Sequence, residues 1–253
     1  CCSIIIYFCL KGGSAMLGEG RRSKILEMLH RDRFVKISDL GKMFNVSVET
    51  IRRDMNKLEK QGLLRKTHGG ATMEEGVRIV PPVELREGFN VEEKKRIAEK
   101  AVSMIEEGDT LILDAGTTTL YIARLLKSKN ITVIVNDINI AHELCSSETV
   151  ELIIAGGTTL KGSYTIVGPE CEKTFDFLNV NKIFVATSGI TLGHGLTTSN
   201  RMEAEVKKKM INAAREVICV ADSSKINKLA LVTFARLDRI NKIITSIQTS
   251  PEY

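Results

Sequence analysis

The chain has 253 residues, of which 43% are hydrophobic and 26% charged, and its formal net charge is +5. This composition predicts one large or two smaller globular domains and excludes general disorder. Residues 16–80 contain 14 Lys/Arg and 9 Asp/Glu, whereas residues 81–253 contain 21 and 22, so the positive excess is N-terminal. A basic segment beside a neutral one is typical of a domain that binds a polyanion, although charge alone fits an ordinary solvated surface equally well.

The first fifteen residues, CCSIIIYFCLKGGSA, differ in character from the rest of the chain. Their apolar run, residues 4–10, is far shorter than the ~20 residues that span a bilayer, and Lys11 follows the run instead of preceding it as in a secretory signal. We interpret residues 1–15 as an extraneous or disordered segment, with a cleaved or membrane-tethering segment as the alternative. The sequence contains no other apolar run of spanning length, so we expect a cytoplasmic protein without a membrane partner.

The first folded elements form a compact N-terminal pattern. Residues 20–31 predict a helix whose apolar face carries Ile25, Leu26 and Leu29. Residues 34–37 predict a short strand. A short helix that begins at Ser38 or Asp39 follows, and its expected inward side chains are Leu40, Met43 and Phe44.

A third helix is predicted over residues 48–61, with Ser47 as its N-cap and Gly62 after its end. Its expected apolar stripe is Val48, Ile51, Met55 and Leu58. The polar side chains that point elsewhere are Glu49, Thr50, Arg52, Arg53 and Asn56. A second helix that exposes such residues in its first turns is typical of a helix-turn-helix, because arginine can hydrogen-bond guanine in the major groove.

Residues 63–71 predict a strand and a Gly-Gly turn, which together form a small hairpin or wing. Its side chains Arg65, Lys66 and His68 are placed to lie along a sugar–phosphate backbone, although a surface hairpin with chance positive charge is the alternative. We add Ser38, at the start of the preceding helix, to the candidate DNA-binding residues. Which residues contact bases and which contact phosphates stays open.

The motifs V-S-x-x-T-I-R-R-D and L-x-x-x-G-L-L-x-x-x-H-G-G-A, within residues 46–71, resemble the winged helix-turn-helix of DeoR-family bacterial regulators. This resemblance implies a helix-turn-helix at about residues 35–54 within a DNA-binding domain over residues 18–73. It also implies a recognition helix that starts at Ser47, with Arg52 and Arg53 as the main DNA-binding residues and double-stranded operator DNA as the partner.

A polar segment, residues 74–90, contains Pro81-Pro82 and is interpreted as a linker. Residues 91–248 then alternate between the two element types. A charged helix starts near residue 91, strands are predicted over 110–114, 131–135, 150–155, 182–187, 217–221 and 242–245, and helices over 120–126, 138–145 and 201–215. This alternation predicts an α/β domain with a mainly parallel sheet and helices on both faces.

Polar or glycine-rich residues follow four of these strands, and ligands bind at the carboxyl ends of strands in such sheets. The residues after the first strand, Asp114 and Gly116 to Thr119, open a helix and suit an anion, although helix capping alone also explains them. The other strand ends carry Asn136-Asp137, Gly156-Gly157 and Asp222 to Lys225. Any one of them fits an ordinary turn, but the four together predict a binding site.

The motifs D-x-G-T-T-T, N-D, A-G-G, S-G-I, G-L-T-T, E-A-E-V-K and A-D-S-S-K occur in the order found in the DeoR-family sensor domain. The resemblance, which runs from about Gly18 to Ser246, implies a sugar-phosphate isomerase/CoA-transferase type of fold and a phosphorylated sugar as effector. It implies a phosphate loop formed by Gly116, Thr117, Thr118 and Thr119. The further effector-binding candidates are Asp114, Asp137, Gly156, Gly157, Glu203 and Lys225.

The sequence therefore favours a homo-oligomeric repressor of a sugar catabolic operon, because pairing on two half-sites multiplies the affinity of a small DNA-binding domain. One alternative is a sugar-phosphate isomerase or transferase, for which Asp114, Glu203 and Glu205 are available carboxylates. The other is a DNA-binding protein with a ligand-free scaffold. The six cysteines lack metal-ligand spacing, and we expect no catalytic residues, no metal and no cofactor.

Overall fold

The computed structural model describes residues 18–72 and 81–246, and the chain divides into two compact units between Phe89 and Asn90. Residues 1–15, part of the expected linker (residues 74–80) and the end of the expected sensor domain (residues 247 and 248) lie outside the described residues. The N-terminal unit contains α1 (Gly18–Asp32), β1 (Phe34–Lys36), α2 (Ile37–Phe44), α3 (Val48–Lys60), β2 (Arg65–Thr67), β3 (Gly70–Thr72) and α4 (Val83–Glu87).

The helices of the N-terminal unit pack around one apolar core that contains Ile25, Leu40 and Met55. Helix α3 begins after Ser47, whose hydroxyl accepts a hydrogen bond from the Thr50 N–H (3.2 Å), as the sequence predicted. It ends in a Schellman motif, because Gly62 has a φ of 70° and the Leu63 N–H reaches back to the Leu58 carbonyl (3.0 Å).

Three local predictions in this unit are wrong. Helix α2 begins at Ile37, one residue before Ser38, and no side chain of the described residues caps it. Met43 is 57% exposed, since α2 packs through Leu40 and Gly41. Val48 is 42% exposed, because this first residue of α3 lies at the edge of the core stripe.

Strands β1, β3 and β2 form an antiparallel sheet in the order β1-β3-β2, and the turn at residues 68–69 joins β2 to β3 as a wing. Gly70 allows this sheet to close, because a Cβ at that position would lie 2.2 Å from the Val35 carbonyl oxygen. The second half of the expected linker is also ordered. Helix α4 follows Pro82 and packs on α1, where the Ser23 hydroxyl donates to the Leu85 carbonyl (2.9 Å). A proline suits this place since a helix start needs no N–H donor there.

The C-terminal unit contains a six-stranded parallel sheet in the order β14-β12-β9-β4-β5-β6. Its strands are β4 (Thr110–Leu113), β5 (Ile131–Val135), β6 (Val150–Ile154), β9 (Val180–Ala186), β12 (Ala214–Val220) and β14 (Lys242–Ile244). Its helices are α5 (Val91–Val102), α6 (Thr117–Leu126), α7 (Ile138–Leu144), α8 (Pro169–Asp176) and α9 (Arg201–Ala213).

The sheet separates two apolar cores. Leu111 and Leu113 of β4 pack with α5, α6 and α7, whereas Ile112 packs with α8 and α9. Alternate residues of a strand point to opposite faces, so helices cover both sides of the sheet and form three layers. The predicted α/β class with a mainly parallel sheet is therefore confirmed.

Two small antiparallel sheets and one helix were not predicted. The first sheet pairs β7 (Thr158–Thr159) with β8 (Ile166–Val167). The second, in the order β10-β11-β13, contains β10 (Gly189–Thr191), β11 (Gly195–Thr198) and β13 (Val232–Ala235). The additional helix is α8. Both small sheets contain segments that follow carboxyl ends of the parallel strands, so they adjoin the edge of the sheet where a ligand is expected, whereas α8 packs on one face of the sheet.

Candidate nucleic-acid interface and effector site

The first turns of α3 expose charged side chains. Arg52 and Arg53 are 61% and 77% exposed, and Glu49 is 60% exposed. A Glu49 carboxylate oxygen lies 3.8 Å from a nitrogen of each arginine. Since exposed ion pairs are weak, both guanidinium groups remain available to an external polyanion.

The wing is tied to α3 by Lys66. Its ammonium group donates to the Asn56 side-chain oxygen (2.7 Å) and lies 2.9 Å from a Glu59 carboxylate oxygen. The Lys66 hydrogen bonds hold the pKa of Glu59 below its ordinary value. Arg65, His68 and Ser38 are exposed, and Ser38 donates to Asp39 (3.2 Å). The structure therefore brings Asn56 and Lys66 together, and this hydrogen bond holds the wing against α3.

Asp54 is a residue whose importance sequence reasoning missed. It is buried on α3, and its two carboxylate oxygens lie 2.6 Å from Arg21 Nε and 3.4 Å from Arg22 Nη1. The two arginines belong to α1, so this cluster fixes the recognition helix on the helix behind it. The signal was present in the sequence, because Asp54 lies on the same helical stripe as Ile51 and Met55.

The parallel sheet has a topological switch point between β4 and β9. Strands β4, β5 and β6 follow one another in one direction, whereas β9, β12 and β14 continue in the other. Crevices at the carboxyl ends of strands beside such a point are the usual ligand sites of open α/β sheets. The D-x-G-T-T-T segment leaves β4 at this place, and a Cβ at Gly116 would lie 3.0 Å from the Cβ of Ala186, the last residue of β9.

Asp114 connects the two strands at the switch point. It is 1% exposed, and its Oδ2 accepts hydrogen bonds from the Ala186 N–H (2.8 Å) and from the Lys207 ammonium of α9. Lys207 also donates to the Ala186 carbonyl (3.1 Å). Asp114 Oδ1 is buried without a partner among the described residues. Burial raises the pKa of Asp114 above its ordinary value, and the Lys207 ammonium opposes that rise.

Helix α6 starts directly after this carboxylate. Its first intrahelical bond runs from the Leu120 N–H to the Gly116 carbonyl (3.0 Å), so the N–H groups of Thr117 to Thr119 have no partner within the helix. No side chain of the described residues caps this end. The Thr119 hydroxyl donates to Gly116 (2.9 Å), whereas the hydroxyls of Thr117 and Thr118, whose side chains are largely buried, bond to no residue that the structure describes. These donors suit an anion.

Glu203 and Lys207 lie one turn apart on α9, so they share the face that approaches Asp114. Glu203 accepts a hydrogen bond from the Thr198 hydroxyl (2.6 Å), and its negative charge contributes to the raised pKa of Asp114. Among the predicted candidates, the structure thus gathers Asp114, the Gly116–Thr119 segment and Glu203. Lys207 was missed, although its place on an apolar helical stripe was a usable signal.

Asp137 has a structural role in this arrangement. Its Oδ1 caps α7 by accepting hydrogen bonds from the N–H groups of Asn139 (2.8 Å) and Ile140 (3.1 Å). The neighbouring Asn136 accepts from the Ala115 N–H (3.1 Å) and donates to the Ile166 carbonyl (3.1 Å), which holds the loop after β4 against β8. Asp137 was among the predicted effector-binding residues, whereas the role of Asn136 was not predicted.

The remaining candidates lie at other strand ends. Gly157, with a φ of 135°, approaches β8 so closely that a Cβ would lie 2.6 Å from the Val167 carbonyl oxygen, and Gly156 beside it is exposed. Lys225 follows β12 and faces Asp222. Burial acts to raise the pKa of Asp222, but the Lys225 ammonium leads the opposing effects, and the pKa is lowered. Lys225 therefore lies near enough to Asp222 for their opposite charges to interact.

The described residues include no helix with the length and apolarity needed to cross a bilayer. The family model for the DeoR-like helix-turn-helix domain matches residues 21–76, and the model for the DeoR C terminal sensor domain matches residues 89–247.

Two curated relatives and one solved structure illustrate the similarity. The chain is 38% identical to the HTH-type transcriptional regulator IolR of Bacillus subtilis over 220 residues, which are 87% of each chain. It is 37% identical to the transcriptional repressor AccR of Agrobacterium fabrum over 242 residues, 92% of this chain and 94% of that one. Ribose 5-phosphate isomerase A of Methanocaldococcus jannaschii is 16% identical, covers 54% of this chain and 55% of its own, and has a TM-score of 0.41. Both curated relatives are named as transcriptional regulators, both family models are DeoR models, and the chain belongs to the DeoR family of DNA-binding transcriptional regulators.

Proposed function

We propose that the protein is a homo-oligomeric repressor of a sugar catabolic operon, and that a phosphorylated sugar bound in the C-terminal unit lowers its affinity for the operator. Two relatives carry names that fit this proposal, the transcriptional repressor AccR and the putative aga operon transcriptional repressor of Escherichia coli O157:H7. The observation that carries the effector proposal is the uncapped start of α6 at the switch point, beside the buried Asp114.

The ligand would be held from two sides. The N–H groups of residues 117–119 and the Thr118 hydroxyl offer hydrogen-bond donors to a phosphate, and the positive end of the α6 dipole favours its charge. Glu203, which is held by the buried Thr198 hydroxyl, offers a hydrogen-bond acceptor to the sugar. Lys225, at the end of β12, adds a positive charge that attracts the phosphate. The phosphate competes with Asp222 for this charge.

The effector proposal is tested by thermal unfolding of the full chain with a panel of sugar phosphates and the matching neutral sugars. One phosphorylated sugar should raise the midpoint, since a ligand at 100 times its Kd stabilises by about 2.7 kcal/mol. Thr118→Ala with Lys225→Ala should abolish that rise, whereas Thr174→Ala, on the exposed side of α8, should retain it. Equal stabilisation of the double variant, or by neutral sugars, would refute the site.

The operator proposal is tested by salt-dependent binding to duplex DNA. Arg52→Ala with Arg53→Ala should weaken binding and lower the salt slope by about 0.9 for each phosphate contact that is lost. Lys95→Ala with Lys100→Ala removes the same charge from the exposed surface of α5 and should leave the slope unchanged. Unchanged binding of the arginine variant would contradict the assignment of α3. Sedimentation of the free and DNA-bound protein measures the oligomer, and a monomer on DNA would contradict that part.

A further inference from the structure

Glu49 is an acidic residue on a surface that binds a polyanion. It is the second residue of α3, directly after Val48, and its side chain is as exposed as that of Arg52. The phosphates of a bound duplex repel a carboxylate at this place, so Glu49 lowers the affinity for DNA unless it finds a specific partner there.

Within the fold, Glu49 contributes the modest stabilisation that an exposed acid in the first turn gains from the helix dipole. Ser47 already caps the helix through the Thr50 N–H, and the Ser47 and Thr50 hydroxyls also bond each other (2.9 Å). The Glu49 ion pairs with Arg52 and Arg53 join exposed groups at 3.8 Å, which contribute little to stability. An exposed acid at this site therefore calls for an explanation in the complex with DNA.

The major groove offers a carboxylate few partners. Guanine presents two acceptors there and thymine one acceptor and a methyl group, so both are unfavourable to Glu49. Adenine presents an amino group beside the N7 acceptor, whereas cytosine presents its N4 amino group without an acceptor of its own. Cytosine is thus the base whose edge a carboxylate matches best.

We propose that Glu49 is a specificity-determining residue that accepts a hydrogen bond from a cytosine amino group in each operator half-site and disfavours thymine and guanine there. The cluster of Glu49 with Arg52 and Arg53 presents an acceptor beside donors. A C·G pair presents the complementary order, a donor on cytosine beside two acceptors on guanine. The free protein therefore already holds acceptor and donors side by side.

The test uses the full chain and a pool of randomised duplexes. Selection with the wild type should yield one position that is consistently cytosine, and selection with Glu49→Ala should lose that preference while the others persist. At that position the wild type should bind C·G about ten-fold or more tightly than T·A, and the variant should treat the two within about two-fold. The variant should also bind the T·A duplex more tightly than the wild type does, because a repulsive charge is gone.

A cytosine analogue without the amino group identifies the atom. It should weaken the wild type as much as T·A does and leave Glu49→Ala unaffected. Glu27→Gln is the matched control, since it removes one negative charge from an (i, i+3) pair with Lys24 (2.9 Å) on α1, and its base preferences should equal those of the wild type.

Two results would overturn the proposal. Identical base preferences of wild type and Glu49→Ala would mean that Glu49 contacts no base. A uniform loss of affinity for all duplexes would mean that it only orients the arginines. Glu49→Gln keeps the length of the side chain and guards against a folding defect, which thermal unfolding measures. These results depend on DNA binding alone, so they are separate from the fate of the effector proposal.

Discussion

The buried cluster behind the recognition helix provides a test of how this helix is held. In Asp54→Asn the carboxylate is replaced by an amide of equal size, while the guanidinium groups of Arg21 and Arg22 stay in place. Their side chains are only 11% and 18% exposed, so both positive charges lose the Asp54 carboxylate in a poorly solvated place, although Arg22 keeps the exposed Glu19 at 3.9 Å. Breaking a fully buried pair costs about 3–5 kcal/mol. Both arginines can still reach water, and we therefore expect about 2–3 kcal/mol.

Such a loss is large for the N-terminal unit. In domains of 60–100 residues each kcal/mol lowers the midpoint by about 4–8 °C, so the unfolding transition of this unit should fall by at least about 8 °C. Calorimetry of the full chain measures the shift, and hydrogen exchange should locate it in α1 and α3. Asp39→Asn, at an exposed position of α2, should change stability by less than about 0.5 kcal/mol.

A loss of stability in Asp54→Asn no larger than that in Asp39→Asn would contradict the role assigned to the Asp54 cluster. A double-mutant cycle adds a second criterion, because Arg21→Met and Asp54→Asn should be strongly non-additive if the two side chains interact as the 2.6 Å distance indicates. Additive effects would mean that Asp54 contributes through packing alone. Operator binding should weaken together with stability, since the Asp54 cluster positions the face of α3 that we propose to contact DNA.

Two further predictions concern the sensor sheet and the wing. Lys207→Met should destabilise by about 3 kcal/mol, because Asp114 stays buried without its cation, whereas Lys208→Met, at a half-exposed site, should be nearly neutral. The pKa of Asp114 should then rise further. The folded variant binds the Asp114 proton more tightly than the unfolded chain does, so its stability should fall as the pH rises from about 4 towards the raised pKa. Unfolding midpoints measured over this pH range test the prediction, and midpoints that do not change with pH would contradict it. Gly70→Ala should lower the stability by at least about 2 kcal/mol and weaken DNA binding, because its Cβ would collide with the Val35 carbonyl oxygen. Gly69→Ala, with a φ of 88° but open space around its Cβ, should lower the stability by only about 1 kcal/mol. Equal urea midpoints of the two variants would contradict the close approach of Gly70 to Val35.

Elements with local signals were predictable from the sequence. Ser47 and Gly62 mark the ends of α3 because capping and left-handed backbone depend on single residues. The central parallel strands were found because they contain apolar runs, and β4 and β5 are buried on both faces over nearly their whole length. The D-x-G-T-T-T segment could be placed at a strand end for the same reason, although its position beside β9 depends on strand order, which periodicity does not contain.

The small antiparallel sheets lacked such signals. Strands β7 and β8 have two residues each, and β11 consists of Gly195 to Thr198, so none has a length over which alternation can be counted. Their stability comes from partners far along the chain, as in the pairing of Thr198 with Val232. Met43 and Val48 were misplaced for a related reason, since the close approach of α2 at Gly41 decides which side of each helix is covered.

Charged residues on apolar stripes are the signal that sequence reasoning underused. Asp54 shares its stripe with Ile51 and Leu58, and Lys207 shares one with Ala204 and Ile211. In each case the partner comes from a distant element, α1 for Asp54 and the end of β4 for Lys207. A buried charge is tolerated only with its counter-charge, so an ionisable residue on such a stripe predicts an ion pair before any partner is known. Asp54 supports the helix that we propose to enter DNA, and Lys207 supports the proposed phosphate site at the start of α6. Both pairs thus fix the geometry of segments whose own exposed or uncapped groups are the proposed ligand contacts.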